Sequence, residues 1–349
     1  MKIKKILSAA TALTLAAALC VSFAGCGEKK EKDKYTVGIC QLAQHEALDA
    51  ATKGFKDALT EKLGDKVEFK EQNAAGESTT CTTIVNQFVS GKVDLIFANA
   101  TGALQAAVSG TESIPIVGTS ITDYATALEI DLKEWTGKTG INATGTSDLA
   151  PLDKQAEMFK ELLPNAKKVG ILYCSGEANS KYQATEITKY LKKLGIETKE
   201  YTSADSNDIA QVVTTACAEV DALYVPTDNT MASNVQIINN IAEPAKIPVI
   251  AGEKGICNGC GIATLSIDYY SIGKKAGEMA YDILVNGKKP ADMDIAFDSS
   301  PVKEYIKERC DKLGITVPSD YTAGQEIKKL SYGDRAYYTL SLIAVLKGI

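Results

Sequence analysis

Acidic side chains stand directly after two predicted strands in the second half of the chain, where they could neutralise a cation. Asp228 follows the strand predicted at 223–226 and is the first candidate, and Glu253, after the strand at 248–252, could take its place. A buried charge needs a partner, so either carboxylate could pair with the ammonium group of a small zwitterion. The alternative for Asp228 is an N-cap of the following helix, because Asp is a favoured cap. One loop could serve both purposes.

Hydroxyl and amide side chains follow two predicted strands in the first half, and they would suit the carboxylate of the same ligand. Asn99 and Thr101 open a helix after one strand, and Thr119 and Ser120 follow the next strand. Free N–H groups at a helix N-terminus attract anions, and the hydroxyls add hydrogen bonds. Simple helix capping is the alternative for each of these residues.

His45 is the only histidine of the chain, which excludes a Ser-His-Asp triad built elsewhere. It could stack on or hydrogen-bond the ring of a ligand, or it could simply begin a helix. No Gly-x-Ser-x-Gly elbow, phosphate-binding glycine loop or histidine-rich metal motif occurs, so we predict neither an enzyme nor a cofactor or metal site. The other candidate ligand-binding residues lie at strand ends, beside Asp228, or where the chain crosses between its halves: Gln41, Ser175, Asn179, Ser180, Thr227, Asn229, Asp268 and Tyr269.

Short apolar strands alternate with amphipathic helices, a pattern typical of parallel sheets with helices on both faces. The alternation occurs twice. VDLIF at 93–97 matches VDALY at 220–224, and IPIV at 114–117 matches IPVI at 247–250. We therefore predict an α/β protein of two Rossmann-like lobes joined by a hinge that the chain crosses several times. Ligands of such sheets bind beyond the carboxyl ends of the strands, so the two lobes would enclose a cleft.

The domain boundaries are predicted from this repeat. They are 35–146 with about 268–290 for the first lobe, 147–267 with about 291–312 for the second, and 313–349 for a tail of unclear role. A helix at 271–285 would cross back to the first lobe, and a strand at 294–297 would lie near the hinge. From about 330 the tail is apolar, and it could be an extra packing helix or an altered reading frame.

The first 34 residues have the order of an export signal followed by a tether. Three lysines in residues 1–5 precede an uncharged run at 6–23, and small residues stand before Cys26. This order predicts a signal peptide at 1–25, a Cys26 acylated as in bacterial lipoproteins, and a flexible tether at 26–34. An uncleaved membrane anchor is the alternative. The net charge of −6 argues against a nucleic-acid partner.

Seven cysteines follow Cys26, an odd number that leaves at least one unpaired in a monomer. Several lie in apolar contexts, which favours small buried hydrophobes over a disulfide framework. Cys257 and Cys260 form a C-x-x-C pair in a predicted glycine-rich turn. We expect a local disulfide or two free thiols there, because no second pair stands at zinc spacing.

An ordered set of short segments resembles the substrate-binding lipoproteins of ABC transporters, in particular the group associated with tryptophan and tyrosine uptake. The segments are VGICQ (37–41), HEALD (45–49), GFKDAL (54–59), IPIV (114–117), NATGTSD (142–148), LPNAK (163–167), GEANS (176–180), YVPTDNT (224–230), IDYY (267–270) and IG (272–273). The resemblance implies the type I periplasmic-binding-protein fold and supports a binding role for His45.

The same resemblance implies a function. We expect a monomeric, lipid-anchored, extracytoplasmic protein that captures an aromatic amino acid between its lobes and passes it to an ABC permease driven by its ATPase. Two alternatives keep the fold. The ligand could be a sugar, a nucleoside or another small solute, or the protein could be a lipoprotein sensor that signals to a membrane receptor.

Overall fold

The first lobe is a parallel sheet whose strands alternate with helices. In a computed structural model, the described chain comprises residues 32–298 and 300–324. The strands of this lobe are β1 (Tyr35–Gln41), β2 (Val67–Asn73), β3 (Leu95–Asn99), β4 (Ile116–Ile121) and β5 (Ala143–Ser147). The helices are α1 (Glu46–Leu63), followed by a 3₁₀ turn (Gly64–Lys66), α2 (Ser78–Ser90), α3 (Thr101–Gly110) and α4 (Tyr124–Ala127).

Burial on both faces explains the composition of these elements. Every residue of β3, β4 and β5 is buried, as expected for strands covered by helices on each side. Helix α1 is amphipathic, with Leu48, Ala51, Phe55 and Leu59 on its buried face at helical spacing. The ring of Phe55 stacks on Phe97 of β3 with centroids 3.8 Å apart.

The second lobe repeats the alternation. Its strands are β6 (Lys168–Cys174), β7 (Glu197–Ser203), β8 (Ala222–Val225), β9 (Val249–Ala251) and β10 (Ala263–Ser266). Its helices are α5 (Leu152–Leu162), α6 (Ala178–Lys193), α7 (Ile209–Cys217), α8 (Asn229–Ser233), α9 (Val235–Ala242) and α10 (Lys254–Cys260). The chain continues through α11 (Tyr269–Leu284), a 3₁₀ turn (Pro290–Asp292), β11 (Ala296–Phe297), β12 (Val302–Tyr305), α12 (Lys307–Leu313) and β13 (Thr322–Ala323).

The two sheets have the same order of equivalent strands, which confirms the predicted fold of two parallel-sheet lobes. The first sheet runs β11-β5-β4-β3-β1-β2 and the second runs β13-β12-β10-β9-β8-β6-β7. β3 and β8, which carry the matching sequences at 93–97 and 220–224, therefore occupy equivalent positions. All pairings are parallel except that of β10 with β12.

Within the described residues the chain passes between the lobes three times, after β5, after β10 and after β11. Helix α11 crosses back to the first lobe and packs against α1. The contact is close at two glycines: a Cβ on Gly54 would lie 2.2 Å from the Tyr270 carbonyl oxygen, and one on Gly273 would lie 2.0 Å from that of Ala51. Only glycine permits this approach of the two backbones.

The structure differs from the predicted boundaries at two places. β11 falls in the segment 291–312 assigned to the second lobe, yet it pairs with β5 of the first sheet, Ala296 beside Thr146. Residues after 312 were expected to be a tail, yet β13 pairs with β12, and Tyr321 packs in the second core. Both differences arise from pairing between distant segments, which has no local signal. The predicted signal peptide, Cys26 and the tail beyond 324 lie outside the described residues.

Candidate ligand-binding cleft

The carboxyl ends of the two sheets face one another across a closed cleft. His45 at the start of α1 has its Nε2 atom 3.2 Å from Oδ1 of Asn229 in the second lobe. Asn258 of α10 donates its amide to both carboxylate oxygens of Glu46 at 3.1 Å. Because these bonds join opposite lobes, they define the closed form of the protein.

The two acids predicted from the sequence both cap helices. Asp228 Oδ1 accepts the backbone N–H of Met231 at 2.8 Å, and its Oδ2 accepts that of Cys174 at 2.7 Å. Glu253 accepts the N–H groups of Gly255 and Ile256 at the start of α10. The capping alternative is therefore realised at Asp228. Each carboxylate still has acceptor capacity, since two oxygens offer about four lone-pair sites.

Asp148 is a third buried acid of the cleft and was not among the predicted site residues. Its Oδ2 accepts the Tyr269 hydroxyl at 2.9 Å, and its Oδ1 accepts the Thr122 hydroxyl at 3.0 Å. The Thr122 hydroxyl in turn accepts the Gln183 amide of the second lobe at 3.2 Å. This chain of side chains joins both lobes to the hinge. The available signal was an acid placed directly after a strand, but β5 reads ATGTS and has no apolar run that would identify it as a strand.

Burial raises the pKa of all three acids. The pKa is about 8 for Asp228, about 7 for Glu253 and about 6 for Asp148, and loss of hydration is the largest cause in each case. The nearby charge of Glu177 raises the pKa of Asp228 further. Within the described ranges, none of the three forms an ion pair with Lys or Arg. The closed cleft therefore concentrates acidic groups without a matching cation.

Besides Nδ1 of His45, two polar atoms of the first lobe are buried beside the cleft without a hydrogen-bond partner among the described residues. They are Oδ1 of Asn99 and Oγ of Ser120. Ser120 also has a left-handed backbone with φ 56°, and Ala100, which precedes buried Thr101 in α3, has φ 92°. Left-handed backbone costs free energy in residues with a Cβ and is concentrated at binding sites. Asn99 and Ser120, which lie on the paired strands β3 and β4, thus each retain an unused hydrogen-bonding atom.

Other predicted residues use their polar groups inside their own lobe. Gln41 donates to Ala43 O and to Asp49, and it accepts from Thr52. Thr119 shares a hydrogen bond of 2.8 Å with Thr146 of the adjacent strand. Ser175 is exposed and donates to Ser203 O, and Asp268 is exposed and caps α11 at Tyr270 and Ser271. These four residues therefore support the framework of the cleft.

Glu177 organises the second-lobe wall and was also missed from the sequence. Its carboxylate accepts the backbone N–H groups of Asn229 and Thr230 together with their side chains. Asn179 donates to Glu177 and to Thr227 O, and Ser180 is fully buried. A hydrogen bond from Ser180 also lowers the pKa of Asp228 against the effect of burial. One carboxylate thus holds the loop that carries the predicted residues 227–229.

Two cavities flank the contacts between the lobes. One of about 400 Å³ opens at the hinge side and is lined by Glu46, Glu253 and Tyr269. The other, of about 320 Å³, lies between Ser78 of the first lobe and Asn229 of the second. Both volumes lie in the range of small-ligand pockets.

The C-x-x-C pair lies in helix α10, which corrects its predicted placement in a turn. All the cysteines of the described part are free, which realises the second of the two alternatives for Cys257 and Cys260. Burial raises the pKa of both thiols, so they are poor nucleophiles. The guanidinium of Arg309 donates to four carbonyl oxygens around the end of α10 and thereby holds that helix.

Comparison with known proteins identifies the family. Residues 36–323 match the family described as ABC transporter substrate binding protein. The chain belongs to this family. A curated relative, the tyrosine-binding protein of Clostridioides difficile, is 40% identical over 270 residues, which cover 76% of each chain. ABC substrate-binding proteins of importers act outside the cytoplasm, and no helix in the described ranges has the length and apolar character needed to span a membrane.

Three solved structures are similar to this chain, which superposes better on a ligand-bound one than on a ligand-free, open one. A Streptococcus pneumoniae protein in complex with L-Trp is 33% identical, with a TM-score of 0.78 over 82% of this chain and 96% of its own. A ligand-free, open substrate-binding protein of C. difficile is 36% identical, yet its TM-score is 0.64 over 84% of this chain and 99% of its own. A leucine-binding protein of Thermotoga maritima, 18% identical, shares the fold with a TM-score of 0.51 over 74% of this chain and 77% of its own.

Proposed function

We propose that this substrate-binding protein captures an aromatic amino acid, tryptophan or tyrosine, in the inter-lobe cleft for an ABC importer. The observation that carries the proposal is the group of buried acids without a cation, Asp148, Asp228 and Glu253. The ammonium group of an amino acid would supply the missing charge. The names of the relatives, one tyrosine-binding and one crystallised with L-Trp, support the aromatic class.

The opposite wall suits the other end of a zwitterion. Ser120 Oγ is buried without a partner among the described residues, and the N-terminus of α3 lies after the neighbouring strand β3. A ligand carboxylate placed there would accept the hydroxyl and the free N–H groups of the helix. Ammonium and carboxylate would then bind to opposite sides of the cleft, and a bound ligand would favour the closed form because both lobes contact it.

Among the three acids, Asp148 is the partner that we assign to the ammonium group. Two of its donors are hydroxyls, which can rotate toward other acceptors, and the third is its own backbone N–H, whereas Asp228 and Glu253 each accept two backbone N–H groups of other residues. Asp148 also lies at the hinge and is linked through the Thr122 hydroxyl to Gln183 of the second lobe, so a ligand bound to Asp148 would contact this inter-lobe chain of hydrogen bonds.

Calorimetry on the protein lacking residues 1–25 tests the ligand class. Tyrosine or tryptophan should give saturable heat, while glucose and myo-inositol should give none. Asp148→Asn should weaken binding about tenfold or more, because the charge-assisted bond to the ammonium group is lost. Asp311→Asn, a matched change at an exposed residue of α12 that pairs with Lys307, should leave the affinity within about twofold. Binding of a sugar and of no amino acid would overturn the proposal.

The remaining parts of the function concern the membrane. We propose that Cys26 carries the lipid that holds the monomer near its permease and ATPase. Its support is the order of basic, apolar and small residues before Cys26. Mass spectrometry of the membrane-extracted protein should find an acylated N-terminal cysteine. An intact signal peptide or an unmodified Cys26 would contradict the anchor without affecting the cleft.

A further inference from the structure

We propose that His45 selects ligands whose aromatic ring carries a hydrogen-bond donor, such as the phenol O–H of tyrosine or the indole N–H of tryptophan. This inference deepens the proposed function and rests on it. It depends on three hydrogen-bonding groups that lie in sequence across the cleft: the carboxylate of Glu177, the amide of Asn229 and the imidazole of His45.

The orientation of the Asn229 amide is set by Glu177. A carboxylate accepts hydrogen bonds, and Glu177 Oε2 lies 2.7 Å from the Asn229 side-chain nitrogen. The same carboxylate is held by the backbone N–H groups of Asn229 and Thr230, so its position is fixed. The amide nitrogen of Asn229 must therefore face Glu177, which leaves its Oδ1 atom facing His45.

This orientation sets the tautomer of His45. Because Asn229 Oδ1 is an acceptor at 3.2 Å, the proton of the imidazole must be on Nε2. Desolvation lowers the pKa of His45 below its usual value of 6.5, so the ring is neutral at pH 7. A neutral ring with its proton on Nε2 has a bare lone pair on Nδ1.

The Nδ1 atom is buried and has no hydrogen-bond partner in the described part of the chain. A buried acceptor without a donor costs free energy, and a ligand that supplies the donor recovers it. The three buried acids already suit the ammonium group, so the neutral acceptor of His45 remains for a neutral donor. A ring O–H or N–H meets this need, whereas the ring of phenylalanine does not.

Matched ligands test the inference. Calorimetry with the protein lacking residues 1–25 would compare tyrosine with phenylalanine and with O-methyltyrosine, and tryptophan with 1-methyltryptophan. Each analogue keeps the aromatic ring and lacks its hydrogen-bond donor. We expect the better of tyrosine and tryptophan to bind about tenfold or more tightly than its donor-free analogues. O-methyltyrosine and 1-methyltryptophan also add bulk, so phenylalanine decides the comparison for tyrosine.

Variants of His45 distinguish a role in recognising the ring donor of the ligand from a role in closing the cleft. His45→Leu should reduce the preference for the donor-bearing ligand to within about threefold, and His45→Gln, whose amide oxygen can accept, should retain part of it. If His45→Leu weakened all aromatic ligands equally, His45 would only join the lobes and the inference would be wrong.

The outcomes distinguish this inference from the proposed function. Equal affinity of the wild-type protein for tyrosine, tryptophan and phenylalanine would overturn the role of His45 and leave the aromatic class standing. Failure of every aromatic amino acid to bind would instead overturn the proposed function itself.

Discussion

At the scale of single residues, the role of each acid in the cleft depends on what already occupies its oxygens. Asp228 and Glu253 were predicted as ammonium partners, and both are bound by backbone N–H groups at helix starts. Asp148, bound only by two side-chain hydroxyls and its own backbone N–H, retains more freedom to meet a ligand. Residue type and position after a strand therefore identify candidates, and hydrogen-bond partners rank them.

The raised pKa values predict how the stability of the ligand-free protein depends on pH. Folded Asp228 and Glu253 bind protons up to pH values of about 8 and 7, while the unfolded acids are ionised above pH 5. The folded state thus holds more protons, so the free energy of unfolding should fall as pH rises from 6.5 to 8.5, by on the order of 2 kcal/mol. Below pH 6.5 the unfolded state binds more protons at His45, because folding lowers the pKa of this residue. His45 therefore makes the free energy of unfolding rise with pH in that range.

Urea unfolding at a series of pH values would measure this slope. Asp228→Asn should flatten it even where the variant is less stable overall, because the slope depends only on protons bound. The charge of Glu177 faces Asp228 and those of Glu46 and Asp148 face Glu253, and each of these charges raises the pKa of the acid that it faces. A stability that stays constant or rises over this range would contradict the buried, cation-free state of the acids.

At the scale of elements, local sequence predicted the apolar strands and amphipathic helices well and missed several short elements, among them β5 and α10. β5 reads ATGTS and has no apolar run, yet every residue of it is buried because it pairs with β4 and β11. Helix α10 contains two glycines, which favour a turn, and it forms because Glu253 caps its start and Arg309 binds its end. In both cases partners distant in sequence supply the stability.

The close contact of α1 with α11 gives a prediction at this scale. Gly273→Ala would place a methyl group against the backbone of Ala51, and the helices would have to separate. We expect a loss of unfolding free energy of about 1–3 kcal/mol or more, measured by chemical denaturation. Lys275→Ala, on the exposed face of the same helix, should change it by less than about 0.5 kcal/mol. Equal stability of Gly273→Ala and the wild-type protein would contradict the observed helix packing.

At the scale of the whole molecule, the cleft between the lobes is closed. Hydrogen bonds between the lobes help to stabilise this closed form. If closure is coupled to binding, weakening a bond across the cleft should weaken ligand affinity without touching the ligand. Asn258→Ala removes the bond to Glu46 and should lower the affinity for the bound amino acid by about three- to tenfold.

Asn286→Ala is the matched control for this change. Asn286 is an exposed residue that donates to Asp282, away from the cleft, so its loss should leave the affinity unchanged within about twofold. Small-angle scattering would show the ligand-free Asn258→Ala protein to be more open than the wild-type protein. If Asn258→Ala and Asn286→Ala had the same affinity, the bond from α10 to α1 would not contribute to closure.

The sequence alone determined the alternation of strands and helices, its repetition in two lobes and the polar residues that follow each strand, because these depend on local hydrophobic periodicity. The tertiary structure decided which of those residues serve the framework and which retain unused capacity. Asp148 meets Tyr269 across 121 positions, and His45 meets Asn229 across 184. Hydrogen-bond satisfaction and burial are set by such distant partners, and no local pattern contains them.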